Sequence, residues 1–331
     1  MQVLQTIISY LVIAAGFITS LFPSGDMSLV PFTNEYTIPD SIPGYTVIST
    51  EEKTDWKAKW IWDKENLTEN NVWMCFNKKV TLNKIPKELI AHISADSKYW
   101  LYINGETVVF EGSVKRGPAK NSGYYDSVNI APYLKGGENS ICALVWFWDN
   151  ETSYSYSSSG RGGFIFEAVG NGVSVISDNS WKVKRNSAYV DSALYPPNYR
   201  LAEYSVYYDA RQDMSDWISE GFDHSSWANA TEYAIGGEGD YGKLYPRGIP
   251  FLKDYGLKDY ENSKDYENYT VTKAFGEKIT VDVPYNAQLT PYLKIIAPEG
   301  EKIRITTENT LIGAVSTTYI TKEGEQEFEA L

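Results

Sequence analysis

The run SKYWLYINGETVVFEG, residues 97–112, alternates Tyr99, Leu101 and Ile103 with Trp100 and Tyr102 and then meets Asn104-Gly105. Successive strand side chains point to opposite faces, and Asn-Gly supplies both positive-φ positions of a two-residue hairpin turn. The spacing therefore predicts a β-hairpin whose second strand holds Thr107 to Phe110. Further along, SICALVWFW (Ser140 to Trp148) follows the Gly136-Gly137 turn. It is apolar on both faces, which predicts a central strand covered on each side.

Composition points the same way. Of 331 residues 15% are aromatic, with 26 Tyr and 10 Trp, and long Leu/Ala/Glu/Lys stretches at helical spacing are missing. The length suits two domains. A formal net charge of −13, with no Lys/Arg stripe to offset it, argues against nucleic acid as a partner, whereas a neutral sugar carries no such penalty.

Outward to the N-terminus, Ile7 to Phe22 is uninterrupted and apolar and is followed by Pro23, Ser24 and Gly25. It is too short to span a bilayer stably and suits a signal-peptide core, although no Lys or Arg precedes Lys53. Export to the periplasm or the medium is the expectation. Residues 1–25 thus read as a signal-peptide-like segment and residues 26–55, rich in Pro and Thr, as an extended lead-in. A β-sandwich is expected over 56–235.

Residues 236–269, rich in Gly, Lys, Asp and Tyr, contain the direct repeat KDYEN at Lys258 and Lys264 and read as a linker. Alternation returns in KITVDV (Ile279, Val281, Val283), YLKIIA and KIRITT, the expected start of a second, incomplete β-sandwich over 270–331.

Two echoing segments, SDNSWK (Ser177 to Lys182) and FDHSSW (Phe222 to Trp227), set an Asp a few residues ahead of a Trp. The carboxylate is expected to accept backbone N–H bonds in a turn while the indole plugs the core. Cys75 and Cys142 both lie in apolar runs, so two buried free thiols are the expectation, with a disulfide as the alternative in an exported chain.

Hydrolytic chemistry finds little footing. The two histidines, His92 and His224, have no ligand-spaced Cys or carboxylate, so neither a zinc site nor a Ser/His/Asp arrangement is predicted. SSSGRGGF (Ser157 to Phe164) matches no phosphate-binding loop. Asp209, Asp213 and Asp216 have calcium-ligating chemistry but no EF-hand spacing, and a solvated turn is the better reading.

Sugar sites combine aromatic faces, which stack on the C–H side of a pyranose, with planar polar groups that bond its hydroxyls. Two segments have that makeup: KRGPAKNSGYYD, with Arg116, Tyr125 and Asp126, and WFWDNETSYSYSSS, with Trp148, Asp149 and Tyr156. These six are the candidate carbohydrate-binding residues. The rival reading places their aromatic rings in the core.

At these same residues the chain resembles the N-terminal region of bacterial α-L-rhamnosidases, the inverting hydrolases of glycoside hydrolase family 78. WIW (Trp60 to Trp62), WMCFNKKV, ISADSKYWLYINGE, VVFEGSVKRGP and YYDSVNIAPYLKGGENS carry the resemblance, together with YDAR (Tyr208 to Arg211), FDHSSW and PYNAQLTPYLKI (Pro284 to Ile295). It implies an all-β chain: a galactose-binding-like jelly-roll β-sandwich, then a second sandwich. In the family an (α/α)₆ barrel follows and carries the two acids. The acid-rich motif of that barrel, of the type DxxxRDERxxWxGD, is absent here, so no catalytic residue is carried over.

The expected role is a non-catalytic carbohydrate-binding or scaffolding module for a rhamnose-containing glycan, partnered by a catalytic barrel. Alternatives are the sugar-binding domain of a β-galactosidase-like or β-glucuronidase-like hydrolase, and a purely structural sandwich pair.

Overall fold

The computed structural model describes residues 52–113, 117, 121–148, 158–190, 203–214, 216–252, 255–266, 270, 278–285, 289–306 and 316–331. The predicted signal-peptide-like segment and nearly all of the lead-in lie outside them.

The chain is all-β. A front sheet runs in the order β13 (Thr231–Ile235), β1 (Lys59–Trp62), β8 (Gly163–Gly170), β3 (Ile90–Asp96), β6 (Ser122–Asn129) and β14 (Lys243–Pro246), with β9 (Val173–Ile176) paired to β8. A back sheet runs β12 (Ala228–Asn229), β10 (Lys182–Arg185), β2 (Val72–Leu82), β7 (Gly137–Phe147), β4 (Lys98–Ile103) and β5 (Glu106–Gly112). Their facing sides share one core, in which Met74, Leu101, Ala143 and Val145 of the back sheet meet Ile93, Val128, Phe164 and Phe166 of the front. This is a β-sandwich.

The hairpin forms as read. β4 and β5 pair antiparallel with Ile103 opposite Glu106, and Asn104 and Gly105 take φ of 53° and 86°. β7 is central, between β2 and β4. Its odd-numbered side chains from Ile141 to Phe147 enter the inter-sheet core, whereas Cys142, Leu144 and Trp146 join Trp73, Cys75 and Trp100 in a second cluster on the outer face. Both thiols are free and buried there.

The echoing segments behave alike locally. Asp178 Oδ1 accepts from Ser180 N and Asp223 Oδ1 from Ser225 N, at 2.9 and 2.8 Å. Trp181 then fills the inter-sheet core and Trp227 the outer cluster. The short strands that follow them, β10 and β12, pair with each other.

In two places the structure differs from the sequence reading. The first part of the expected linker packs on the sandwich: Tyr241 stacks on Trp60 (4.3 Å, 8°), Leu244 is buried, and β14 pairs in parallel with β6. Two apolar side chains among many Gly and Lys give no strand period, so only the waiting edge of β6 makes a strand of them. KITVDV, in contrast, forms no strand, and Ile279, Val281 and Val283 stand more than 40% exposed. An alternating face needs a sheet to cover it. Here the backbone of this stretch bonds instead to the first KDYEN repeat, through Glu261 N to Asp282 O and Asp282 N to Asn262 Oδ1, both 2.9 Å.

C-terminal strands β16 (Lys302–Thr306) and β17 (Ser316–Ile320) form a three-stranded sheet with β11 (Val206–Asp209), and β15 (Tyr292–Ala297) pairs with β18 (Gly324–Glu329). β11, which precedes the expected linker, lies parallel to β17.

Candidate functional site

Asp126, on β6, points into the sandwich and is fully buried. Its Oδ2 accepts from the Tyr99 hydroxyl and from Ser113 N, both at 2.8 Å, and its Oδ1 from Arg247 Nη1 at 3.2 Å. Burial pushes this carboxyl up, while the Arg247 guanidinium and the two donors pull it back down. Tyr125, one residue earlier, takes the opposite face, where it lies edge-on to Trp56 (5.4 Å) and His92 (5.4 Å) and accepts Lys53 N at 3.0 Å. Trp148 is buried against Trp146, edge-to-face at 5.9 Å, with the Lys98 ammonium 5.6 Å from its ring.

Three of the six candidate sugar-contacting residues therefore work inside the protein: Asp126 as an internal ion pair, Tyr125 and Trp148 as packing rings. Arg116, Asp149 and Tyr156 lie outside the described residues. What the structure adds is a common origin for the two candidate loops. Both are rooted at the β3–β4 connection. Ser113 Oγ accepts Ala95 N (2.9 Å), Ser97 Oγ accepts Trp148 N (3.1 Å), and Asp96 Oδ2 accepts Ser159 N (2.8 Å). Segments remote in sequence thus leave and re-enter the sandwich at one end.

Beside these roots is a crevice of about 20 Å³, lined by Trp60, Asp96, Asn121, Ser159, Asp240 and Tyr241. Tyr241 donates its hydroxyl to Gly162 O (2.7 Å), and Asp240 is held by Arg161 (2.7 Å). The buried Trp60 Nε1 has no hydrogen-bond partner among the described residues. The loop reading missed all six as site residues. An Asp immediately before the hairpin, in ISADSKYW, was the available signal, since a carboxylate at the end of an apolar strand needs hydrogen-bond donors from neighbouring chain.

Neither histidine is poised for acid–base work. His92 lies on β3, its Nδ1 3.0 Å from Ser127 Oγ, and burial helped by the Lys53 charge lowers its pKa to about 4. His224 is buried with Nε2 2.8 Å from Trp217 O, and burial lowers its pKa too. Asp209 is gripped at both oxygens by Arg211, at 2.8 and 2.7 Å, and Asp213 accepts the Tyr208 hydroxyl at 2.6 Å. Among the described residues no three His, Cys, Asp or Glu side chains gather as a cage for a metal ion.

Fold and site together define a class: a two-sheet β-sandwich with two loops rooted at one end and further strands attached. Comparison with known proteins narrows it. Residues 84–239 match the family described as Alpha-L-rhamnosidase N-terminal domain. An α-L-rhamnosidase of Formosa agariphila is 24% identical in a 255-position alignment that covers 72% of this chain and 24% of that protein. The crystal structure of a GH78 rhamnosidase of Bacillus sp. GL1 superposes with a TM-score of 0.55 at 30% identity, over 60% of this chain and 20% of that one. An α-L-rhamnosidase from Dictyoglumus thermophilum shares the fold, with a TM-score of 0.54 at 22% identity over 83% of this chain and 32% of its own. Residues 84–239 are thus similar to the N-terminal domain of α-L-rhamnosidases, and the chain spans about a quarter of the length of the curated relative it matches.

Proposed function

We propose that the chain is the non-catalytic N-terminal portion of an α-L-rhamnosidase-like glycoside hydrolase, and that its loop end holds a rhamnose-containing glycan for a catalytic barrel to cleave. The observation that carries the reading is the convergence of the two aromatic-polar loops on the β3–β4 connection, beside a crevice walled by Trp60 and Tyr241. Aromatic side chains of such loops offer C–H-binding faces, and Asp and Ser oxygens accept from hydroxyls. Arg116, Asp149 and Tyr156 are the loop side chains assigned to the sugar. Buried Tyr125, Asp126 and Trp148 support the loops from within.

Export to the periplasm or medium belongs to the same reading and rests on the apolar Ile7 to Phe22 segment. Calorimetric titration of the chain with L-rhamnose and with a rhamnosylated oligosaccharide, with and without calcium, tests the binding part. Heat that vanishes in Tyr156→Ala supports it, and no heat at millimolar sugar reduces the module to scaffolding. Assay on an aryl α-L-rhamnoside tests the rest: turnover above buffer by the chain alone would overturn the non-catalytic assignment.

A further inference from the structure

The YDAR segment, Tyr208 to Arg211, closes a turn and borders a cavity. Asp209 and Arg211 lock the turn by their bidentate pair. Tyr208 and Ala210 line a cavity of about 200 Å³ between the outer layer of the sandwich and the C-terminal strands. Tyr208 is half-buried there, with Tyr189 edge-on at 5.0 Å, Phe328 tilted at 5.2 Å and Tyr319 parallel to one face at 5.9 Å, so that only its remaining face is left to a ligand. Its hydroxyl, donated to Asp213, fixes the ring. Ala210 is buried, and its short side chain leaves the space beside that ring open.

The polar groups at the mouth select the ligand. Three carboxylates face it, and each has a partner: Asp213 has the Tyr208 hydroxyl, Glu327 has Lys294 (3.1 Å), and Glu329 has the Thr290 hydroxyl (2.8 Å). Lys322, also at the mouth, has no ion-pair partner among the described residues. An anion would meet the three acids, and a cation would meet Lys322. A neutral polyhydroxyl compound uses both, since carboxylates accept from its hydroxyls and an ammonium donates to them. The volume lies below the roughly 300 Å³ at which pockets for drug-sized ligands begin, which suits one ring.

We propose that this cavity binds a single neutral pyranose, with Tyr208 as its stacking face and Lys322 and Glu329 as hydroxyl partners. The ligand class rests on the carbohydrate-module reading, but the site is separate from the loop end.

The test is calorimetry of the full 331-residue chain with L-rhamnose and with methyl α-L-rhamnopyranoside, repeated on Lys322→Ala, Ala210→Val and Tyr156→Ala. Lys322→Ala should weaken one class of site about tenfold, the loss of one charge-assisted hydrogen bond, with Tm unchanged. Ala210→Val should weaken the same class by filling the cavity. If both variants bind as the parent does while Tyr156→Ala loses heat, the cavity inference fails and the loop-end reading stands. If Tyr156→Ala binds normally and Lys322→Ala does not, the cavity stands and the loop end fails. No heat with either sugar, or saturation by tetramethylammonium in place of sugar, overturns the inference outright.

Discussion

The two faces of the back sheet are built from alternate residues of the same strands, yet they hold different kinds of core. Inward from β2, β4 and β7 point Met74, Phe76, Leu101, Ala143 and Val145, which interlock with Phe164 and Phe166 of the front sheet. Outward point Trp73, Trp100, Trp146 and Leu144, roofed by residues from irregular chain, Tyr189, Trp217 and Trp227. The inner side is sheet against sheet and mostly aliphatic or Phe. The outer side is sheet against loop, with Trp73 stacked on Tyr189 (3.8 Å) and on Trp146 (4.3 Å). A loop has no regular face to interdigitate, so broad rings bury area where ridges and grooves cannot. Large aromatic residues are thus what a strand uses to be central when one of its covers is irregular.

Substitutions on the two sides should separate global from local stability. Phe166→Ala, which opens a cavity between the sheets, should cost about 3 to 5 kcal/mol and lower the denaturant midpoint of the whole sandwich in one transition. Asp126→Ala should follow at about 3 kcal/mol. It leaves the buried Arg247 guanidinium without its carboxylate and breaks the link from β6 across to the Tyr99 hydroxyl. Adding Arg247→Ala to it should restore part of the loss, and a non-additive double-mutant cycle is the check.

On the outer side, Trp227→Ala should cost about 2 to 3 kcal/mol, at or below the usual loss for a buried ring because a loop roof relaxes more freely than a sheet. Its signature is local. Hydrogen exchange should rise first at Trp217 to Trp227, with β2 and β7 still protected. Equal loss of protection in the strands would erase the distinction between the two faces.

The smallest effect concerns the outer face of the other sheet, where His92 packs with Trp56 and Tyr125. Its pKa falls from 6.5 to about 4 on folding, so the unfolded chain takes up a proton that the native state refuses. Stability is full above pH 6.5 and declines as pH falls toward 4. After allowance for partial exposure the contribution is about 1 kcal/mol. His92→Gln should flatten the stability-against-pH curve in that window relative to the parent.

Much of this was legible beforehand because it is local. Asn104-Gly105 demands a hairpin by backbone conformation alone, and Ser140 to Trp148 is apolar on both faces whatever covers it. The Asp-to-Trp spacing of SDNSWK and FDHSSW closes its own turn. The site was less legible, because Tyr125 and Asp126 are neighbours in sequence but opposite in direction, and aromatic content does not say which ring is core. Nor does it say that the loops around Arg116 and Tyr156 share a root.

By itself, then, the sequence determined the 97–112 hairpin, the central strand from Ser140, the Asp-to-Trp turns and the all-β class, all of which follow from side-chain period and backbone preference over a few residues. Tertiary structure alone decided partnership: that Asp126 answers Arg247 from 121 positions away, that Leu244 lengthens the front sheet while KITVDV lengthens none, and that β11 lies beside β17. Those outcomes depend on which edge or cavity the rest of the chain leaves open, and burial is a property of the whole surface removed from water rather than of any one segment.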